Sequence, residues 1–131
     1  MATREIPFAD WRPFLDDFSR GHRAWLATVE RIHPAAPGRV EAAARPLETV
    51  APIESARRVV GIEVRFQEDS DAREAVRIEA PVKMRVDETP ERTTRGLEIE
   101  GEDGELLRIR FRSAPLSEML DGVAPAEVSE L

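Results

Sequence analysis

Apolar side chains near the start of the chain recur at the spacing of a helix. The positions i, i+3, i+4 and i+7 of this stripe are Trp11, Phe14, Leu15 and Phe18. Such a stripe places one face of a helix against a core. Asp10 precedes it as an N-cap residue and Gly21 follows it as a left-handed stop, so we expect one helix from about Trp11 to Arg20.

After the predicted helix, apolar and polar residues alternate, which is typical of strands. The alternating stretches are 22–32, 39–45, 58–66, 74–86 and the pair within 96–113. The alternation turns Val60 and Val82 inward with the other apolar residues of their stretches. Residues 46–56 carry two prolines, and we expect an irregular connection there. Pro81 removes one ladder donor, which predicts an edge strand, a bulge or a break into two short strands.

The last alternating pair predicts a hairpin whose register follows from its side chains. A two-residue Asp-Gly turn would mix apolar and charged residues on one face, because a slip of one residue flips every side chain. A three-residue loop ending at Gly104, with this glycine in the left-handed conformation, pairs Leu97 with Ile109. The same register sets Glu98 opposite Arg108, a favourable pair of opposite charges.

Together these elements predict an α+β domain. The N-terminal helix packs on the apolar face of a curled antiparallel sheet of about six strands. A short helical turn from Pro115 to Gly122 follows the last strand. We expect a single domain over residues 1–122 and a disordered C-terminal tail over residues 123–131.

The composition restricts location and partners. The chain has 131 residues, of which 41% are hydrophobic and 34% charged, as in a globular domain with a highly charged surface. Its net charge of −7 argues against a nucleic-acid partner. Cysteine is absent, which excludes disulfides and thiolate metal sites. Without a signal-peptide pattern or an apolar run of roughly 18 residues, we expect a soluble cytoplasmic protein with no membrane partner.

Clustered polar residues raise the question of catalysis. In DDFSRGHRAW (16–25), carboxylates and a serine stand close to His22. We interpret this segment as the end of the predicted helix, where a hydrogen-bonding group is favourable, and no G-x-S-x-G turn is present. His22 and His33 lie at opposite ends of one predicted strand, too far apart to share a metal. The acidic stretches 68–74 and 98–105 match no calcium loop. We therefore expect no catalytic residue, metal site or cofactor.

A row of arginines is the remaining candidate for chemistry. RIRFR (108–112) places Arg108, Arg110 and Arg112 on one face of a strand. Such a row can hold a phosphate or another anionic group. Glutamates follow the same alternation, so a solvent-exposed charge network is the alternative interpretation, and we favour it. These three arginines and His22 are the candidate ligand-binding residues of the sequence.

Several segments together resemble a known family. They are TREIP (3–7), Trp11, FLDDFSR (14–20), His22, the pair Trp25 and Leu26, and LRIRFRS (107–113) followed by Pro115. In this pattern the chain resembles an uncharacterised family of short bacterial proteins, a domain of unknown function. The resemblance implies a compact bacterial single-domain protein. It implies no activity and no functional residue.

The sequence therefore favours a small soluble, non-enzymatic binding module. It would dock another protein or a second copy of itself, using strand edges near Pro81 and Val40. The alternative is a binder of small anionic ligands, or an enzyme. Its pocket would lie between helix and sheet and use Arg110 or Arg112 together with His22.

Overall fold

The computed structural model describes residues 2–68 and 75–112. The elements are strand β1 (Ala2–Glu5), a 3₁₀ turn (Phe8–Asp10), helix α1 (Trp11–Gly21) and strands β2 (Leu26–His33), β3 (Ala36–Ser55), β4 (Arg58–Phe66), β5 (Val76–Glu79), β6 (Pro81–Glu88), β7 (Thr94–Gly101) and β8 (Leu106–Phe111). The strands form one antiparallel sheet in the order β1-β6-β7-β8-β2-β3-β4-β5. The α+β class is confirmed, but the sheet has 8 strands rather than about six, and it is not closed.

Helix α1 forms where the apolar stripe predicts it and packs against β3. Its buried apolar side chains are Trp11, Leu15 and Phe18. The indole Nε1 of Trp11 donates a hydrogen bond of 2.9 Å to the carbonyl oxygen of Ile6. Ser19 Oγ accepts the N–H of Val50 at 2.9 Å and donates to the carbonyl oxygen of the same residue at 3.0 Å. This serine therefore ties the helix to the second half of β3.

The ends of α1 differ from the predicted caps. Asp10 is the residue before the helix, but its carboxylate makes no capping hydrogen bond. The 3₁₀ turn already gives Asp10 helical backbone angles, φ −99° and ψ 0°, whereas a capping side chain needs an extended backbone. Gly21 is the last helical residue and has no positive φ; the left-handed residue of this connection is Ala24, with φ 72°.

One long strand, β3, replaces the irregular connection predicted over residues 46–56. β3 exchanges its partner near Pro46: it pairs with β2 before this residue and with β4 after it. Within the described residues, each half therefore has a strand neighbour on one side only. A proline is tolerated in a strand with a free side, because its missing N–H need not belong to a ladder. For this reason Pro46 and Pro52 both lie inside β3.

Pro81 marks a break into two strands, which was one of the predicted alternatives. Between β5 and β6, Ala80 has φ 49°; its N–H donates to Val60 at 3.0 Å, and its carbonyl oxygen accepts the N–H of Glu102 at 2.9 Å. The bend resets the alternation of side chains. Val60 and Val82 were predicted to face inward, and this is wrong: they are 44% and 53% exposed. Each is the extra residue at a register shift, Val60 in β4 against β3 and Val82 in β6 against β7.

The β7–β8 hairpin has the predicted register. Leu97 pairs with Ile109, and Glu98 pairs with Arg108. Gly104 is left-handed, with φ 88°. Arg108 Nε lies 3.1 Å from a carboxylate oxygen of Glu98, so the predicted ion pair is formed.

Two further predictions fall on the last residues of the chain. The C-terminal helical turn (115–122) and the tail (123–131) lie outside the described residues.

Strand β1 pairs with β6 and was not predicted. In the ranges that the structure describes, no helix has the length and apolar character needed to cross a membrane.

A polar cluster around Arg31 closes one end of the curled sheet. Arg31 lies on β2, and its guanidinium is 2.9 Å from Glu105 and 3.2 Å from Glu41. It also donates a 2.7 Å hydrogen bond to the carbonyl oxygen of Arg77, in β5 at the far edge of the sheet. Partial burial opposes ionisation of Glu41, but hydrogen bonds from Arg39 and Arg31 together outweigh it and lower the pKa of this carboxylate. The cluster thus links strands that are not neighbours.

Removal of the Arg31 side chain tests this link. The Arg31→Ala variant takes this donor from Glu105 and from the Arg77 carbonyl and leaves Glu41 with Arg39, so we expect a loss of about 1–3 kcal/mol in the free energy of unfolding in urea. The control is Arg20→Ala, because Arg20 pairs with Asp16 and Asp17 on the exposed side of α1. This control should change stability by no more than about 0.5 kcal/mol. Equal losses in the two variants would contradict a structural role for the Arg31 cluster.

Candidate functional site

The structure places the predicted arginines and His22 on opposite faces of β8. Arg108 and Arg110 alternate with Ile109, which is fully buried in the core. Arg112 continues the same alternation, because its N–H pairs with the carbonyl oxygen of Leu26 at 3.0 Å. The arginines therefore project from the outer face of the sheet, whereas His22 packs on the inner face.

His22 is the centre of an aromatic cluster that joins the end of α1 to β8. Its ring stacks on Phe111 at 4.7 Å between centroids, with an interplanar angle of 13°. The ring also lies 4.7 Å from Phe18 and 4.6 Å from Trp25. His22 Nδ1 is 2.7 Å from the carbonyl oxygen of Phe18, which can only accept, so this nitrogen carries the proton. Burial lowers the pKa of His22, although the hydrogen bond to Phe18 acts in the opposite direction.

The outer face of the sheet carries rows of alternating charge. One row crosses β6, β7, β8 and β2 at Arg85, Glu98, Arg108 and Glu30. Glu98 lies 3.4 Å from Arg85 and 3.1 Å from Arg108. Glu30 pairs with Arg110 of the neighbouring row at 3.2 Å. The charge network favoured by the sequence is therefore present for Arg108 and Arg110.

The neighbouring row is interrupted by a glycine. It crosses the same strands at Asp87, Gly96, Arg110 and Thr28. A Cβ atom on Gly96 would overlap the carbonyl oxygen of Ile109, so β7 and β8 approach too closely here for any side chain. Because Gly96 has no side chain, the row of charged side chains is interrupted and the outer face is open at this position. At this place a groove of about 580 Å³ lies on the outer face.

Cationic side chains dominate this groove. Its charged lining consists of Arg95, Arg108, Arg110, Arg112, Asp87 and Glu98. Four cationic side chains stand against two anionic ones, in a chain whose net charge is −7. We call this surface the arginine groove.

Two arginines of the groove are uncommitted, in that neither has a side-chain partner within the described part of the chain. Gly96 pairs with Arg110, so the antiparallel register sets residue 112 opposite residue 94. Arg112 and Arg95 therefore lie at the same end of the groove, on adjacent strands. Within residues 2–68 and 75–112, neither guanidinium makes an ion pair or a side-chain hydrogen bond. This end of the groove can accept an anion without breaking an existing pair.

Sequence reasoning found Arg108, Arg110 and Arg112 but missed Arg95 and Gly96. A signal was present, because an isolated glycine within an alternating strand often marks a close approach of backbones. The position of Arg95 relative to Arg112 depends on how β6 and β7 pair, and the sequence did not predict this pairing. Asp87 and Glu88 of β6 show a register shift against Gly96 and Thr94, which makes Arg95 the extra residue of a bulge.

Among the residues that the structure describes, no three His, Asp or Glu side chains are grouped so that they could hold a metal ion. Comparison with known proteins adds no assignment: no family model, curated protein or solved structure matches this chain. The resemblance to a bacterial family of unknown function stays a prediction. The arginine groove is therefore the candidate functional site.

Replacing Gly96 tests the close approach that shapes the groove. In Gly96→Ala the new methyl group meets the Ile109 carbonyl oxygen, and we expect a loss of about 1–3 kcal/mol in unfolding free energy. Gly38→Ala is the matched control, because a Cβ there would meet Ile32 only at an ordinary 3.6 Å. Urea unfolding with both variants measures the difference. Similar midpoints would show that β7 and β8 have room for a side chain.

The His22 cluster predicts a dependence of stability on pH. The pKa of His22 is lowered in the fold, so below about pH 6.5 the unfolded chain binds the proton more readily than the folded one. The stability from neutral His22 is thus complete above this pH and is lost as the pH falls. We expect the unfolding free energy to fall less in His22→Phe than in the wild type between pH 7.5 and 5.5. The exposed His33 provides the control His33→Asn, and a parallel loss in all three proteins would refute the prediction.

Proposed function

We propose that this chain is a small, non-enzymatic binding module whose ligand-binding surface is the arginine groove and whose ligand is an anion. One observation carries the proposal. Arg95 and Arg112 both line the groove and are unpaired among the described residues, while Arg108 and Arg110 have carboxylate partners.

Electrostatics favours an anion at this end of the groove. Two like charges on adjacent strands repel each other, and a bound anion would remove this repulsion. Guanidinium groups donate paired hydrogen bonds that match the oxygens of carboxylates and phosphates. Elsewhere on the outer face, the corresponding positions are filled by glutamates of the protein itself. The groove therefore offers a ligand the place that a carboxylate occupies in the rest of the ladder.

The surroundings favour binding over catalysis. Ser19 exchanges two hydrogen bonds with the backbone of Val50 on the inner side of the sheet. His22 is held by three aromatic rings and a backbone carbonyl oxygen, also on the inner side. Neither side chain faces the arginines. A nucleophile and a base must lie within hydrogen-bond reach of each other and of the substrate, and this pair is not arranged in that way around the groove.

Docking through a strand edge, with a second copy as one partner, is the second candidate function. Within the described residues, 36–45 of β3 pair with β2 alone, and Val40 is 54% exposed. However, this edge contains Pro37 and register shifts, which hinder the addition of a strand. At β5, the last strand in the sheet order, Arg31 occupies the Arg77 carbonyl oxygen. The groove is therefore the better supported surface.

Titration with small anions tests the proposed function. At low ionic strength, citrate, sulfate or phenyl phosphate is added while backbone amide signals are followed by NMR. We expect at least one of these anions to shift the amides of Gly96 and Arg110, because they form the floor and wall of the groove. Raising the salt concentration from about 20 to about 200 mM should weaken the binding by screening the charges.

One variant tests the groove, and a second serves as its control. Arg112→Ala should weaken binding about tenfold or more, or about 1.4 kcal/mol, through loss of a charge-assisted contact. Arg58→Ala removes an equally exposed arginine at the start of β4, outside the groove, and should bind as the wild type does. If no anion shifts the groove amides, or if both variants behave alike, the proposed function is wrong.

A further inference from the structure

We infer that the ligand of the arginine groove is a phosphate monoester of a small organic molecule, with its dianionic phosphate held between Arg95 and Arg112. The inference rests on the proposed function, because it names the chemical class of anion that the groove takes. It follows from the charge, the donors and the size of the groove.

The charge of the uncommitted end matches a dianion. Arg95 and Arg112 contribute two positive charges without a carboxylate partner in the described part of the chain. A single carboxylate neutralises one of them and leaves the other unpaired. A phosphate monoester carries a charge between about −1.5 and −2 at neutral pH and three terminal oxygens. Two guanidinium groups can share these oxygens, each using its paired N–H donors.

The remaining polar groups fit the organic part of such a ligand. Thr28 Oγ1 accepts the N–H of Ala44 at 3.0 Å, so its own hydroxyl proton is available to a ligand oxygen. Thr28 follows Arg110 in the row that Gly96 interrupts. On the other side of Gly96, Asp87 has no ion pair or hydrogen bond to a described residue and can accept from a hydroxyl or amino group. Gly96 leaves space between these two groups.

The size and the net charge select a small ligand. A groove of about 580 Å³ falls within the usual range for small-molecule sites, about 300–1,000 Å³. A polyphosphate or a nucleic acid would meet the carboxylates of Asp87 and Glu98 and the overall charge of −7. A single phosphate carries less charge than a polyphosphate or a nucleic acid, so both repulsions are smaller for it.

Ligands that differ only in the anionic group provide the experiment. Phenyl phosphate, benzoate and the diester methyl phenyl phosphate share an aromatic ring, but only the monoester is a dianion. In NMR titrations at pH 7.5, we expect phenyl phosphate to bind at least about tenfold more tightly than the other two, because its second negative charge pairs with the second arginine. Its binding should weaken between pH 7.5 and 5.5, because the second pKa of the phosphate is about 6. Benzoate keeps its charge over this range and controls for titration of the protein itself.

Variants locate the phosphate within the groove. Arg95→Ala and Arg112→Ala should each weaken phenyl phosphate binding about tenfold or more. Arg112→Lys should weaken it less, because lysine keeps the positive charge but lacks the paired N–H donors of the guanidinium group. Arg58→Ala should have no effect. Arg95 and Arg112 are exposed, so the variants are expected to keep well-dispersed amide spectra, which verifies their fold.

The outcomes separate this inference from the proposed function. If benzoate and phenyl phosphate bind the groove equally well, the groove takes anions but the phosphate inference is wrong. If none of the anions shifts the groove amides, both are wrong. A short neutral peptide containing phosphoserine represents the other source of a phosphate monoester. If this peptide binds about tenfold more tightly than phenyl phosphate, the ligand is a phosphorylated protein and the small-molecule assignment is overturned.

Discussion

A continuous segment of the chain, from β5 through Ala80 and Pro81 into β6, takes part in both ends of the sheet. β5 is the last strand in the sheet order, and β6 is the second from the opposite end. Because only a single residue separates them, the sheet must curl until its two ends come close. This constraint creates the concave face that α1 covers. It also allows a side chain of β2 to reach the carbonyl oxygen of Arg77 in β5.

The same curl gives the two faces different roles. The inner face is filled by apolar side chains and the helix, and its polar groups have partners, as Ser19 does with Val50. The outer face is covered by a ladder of opposite charges, in which each single pair contributes little. A ladder of this kind is therefore tolerant of an interruption. Gly96 is such an interruption, and the arginine groove lies where it occurs.

Sequence reasoning succeeded where the decisive contacts are local. The register of the β7–β8 hairpin followed from alternation and from Gly104, because both strands and their turn lie within a few residues of one another. The long strand β3 was missed, because Pro46 is acceptable only at the point where the strand changes its partner. The site was found only in part, because the sequence shows which residues share a strand but not how strands that are distant along the chain pair. Arg108, Arg110 and Arg112 share one strand, whereas Arg95 reaches the groove at a register shift between β7 and β6, a pairing that the sequence did not predict.

The pairing of β2 with β8 has a consequence for how the protein is made. Residues 27–32 leave the ribosome early, yet their second neighbour, residues 106–111, is synthesised much later. Contacts between such distant segments form late, since the loss of chain entropy precedes the gain from pairing. The meander from β2 to β5 can assemble while the rest is still absent, but the wall between Thr28 and Arg110 cannot. The arginine groove is thus completed only when the last described strand takes its place, which ties its formation to the late pairing of β8 with β2.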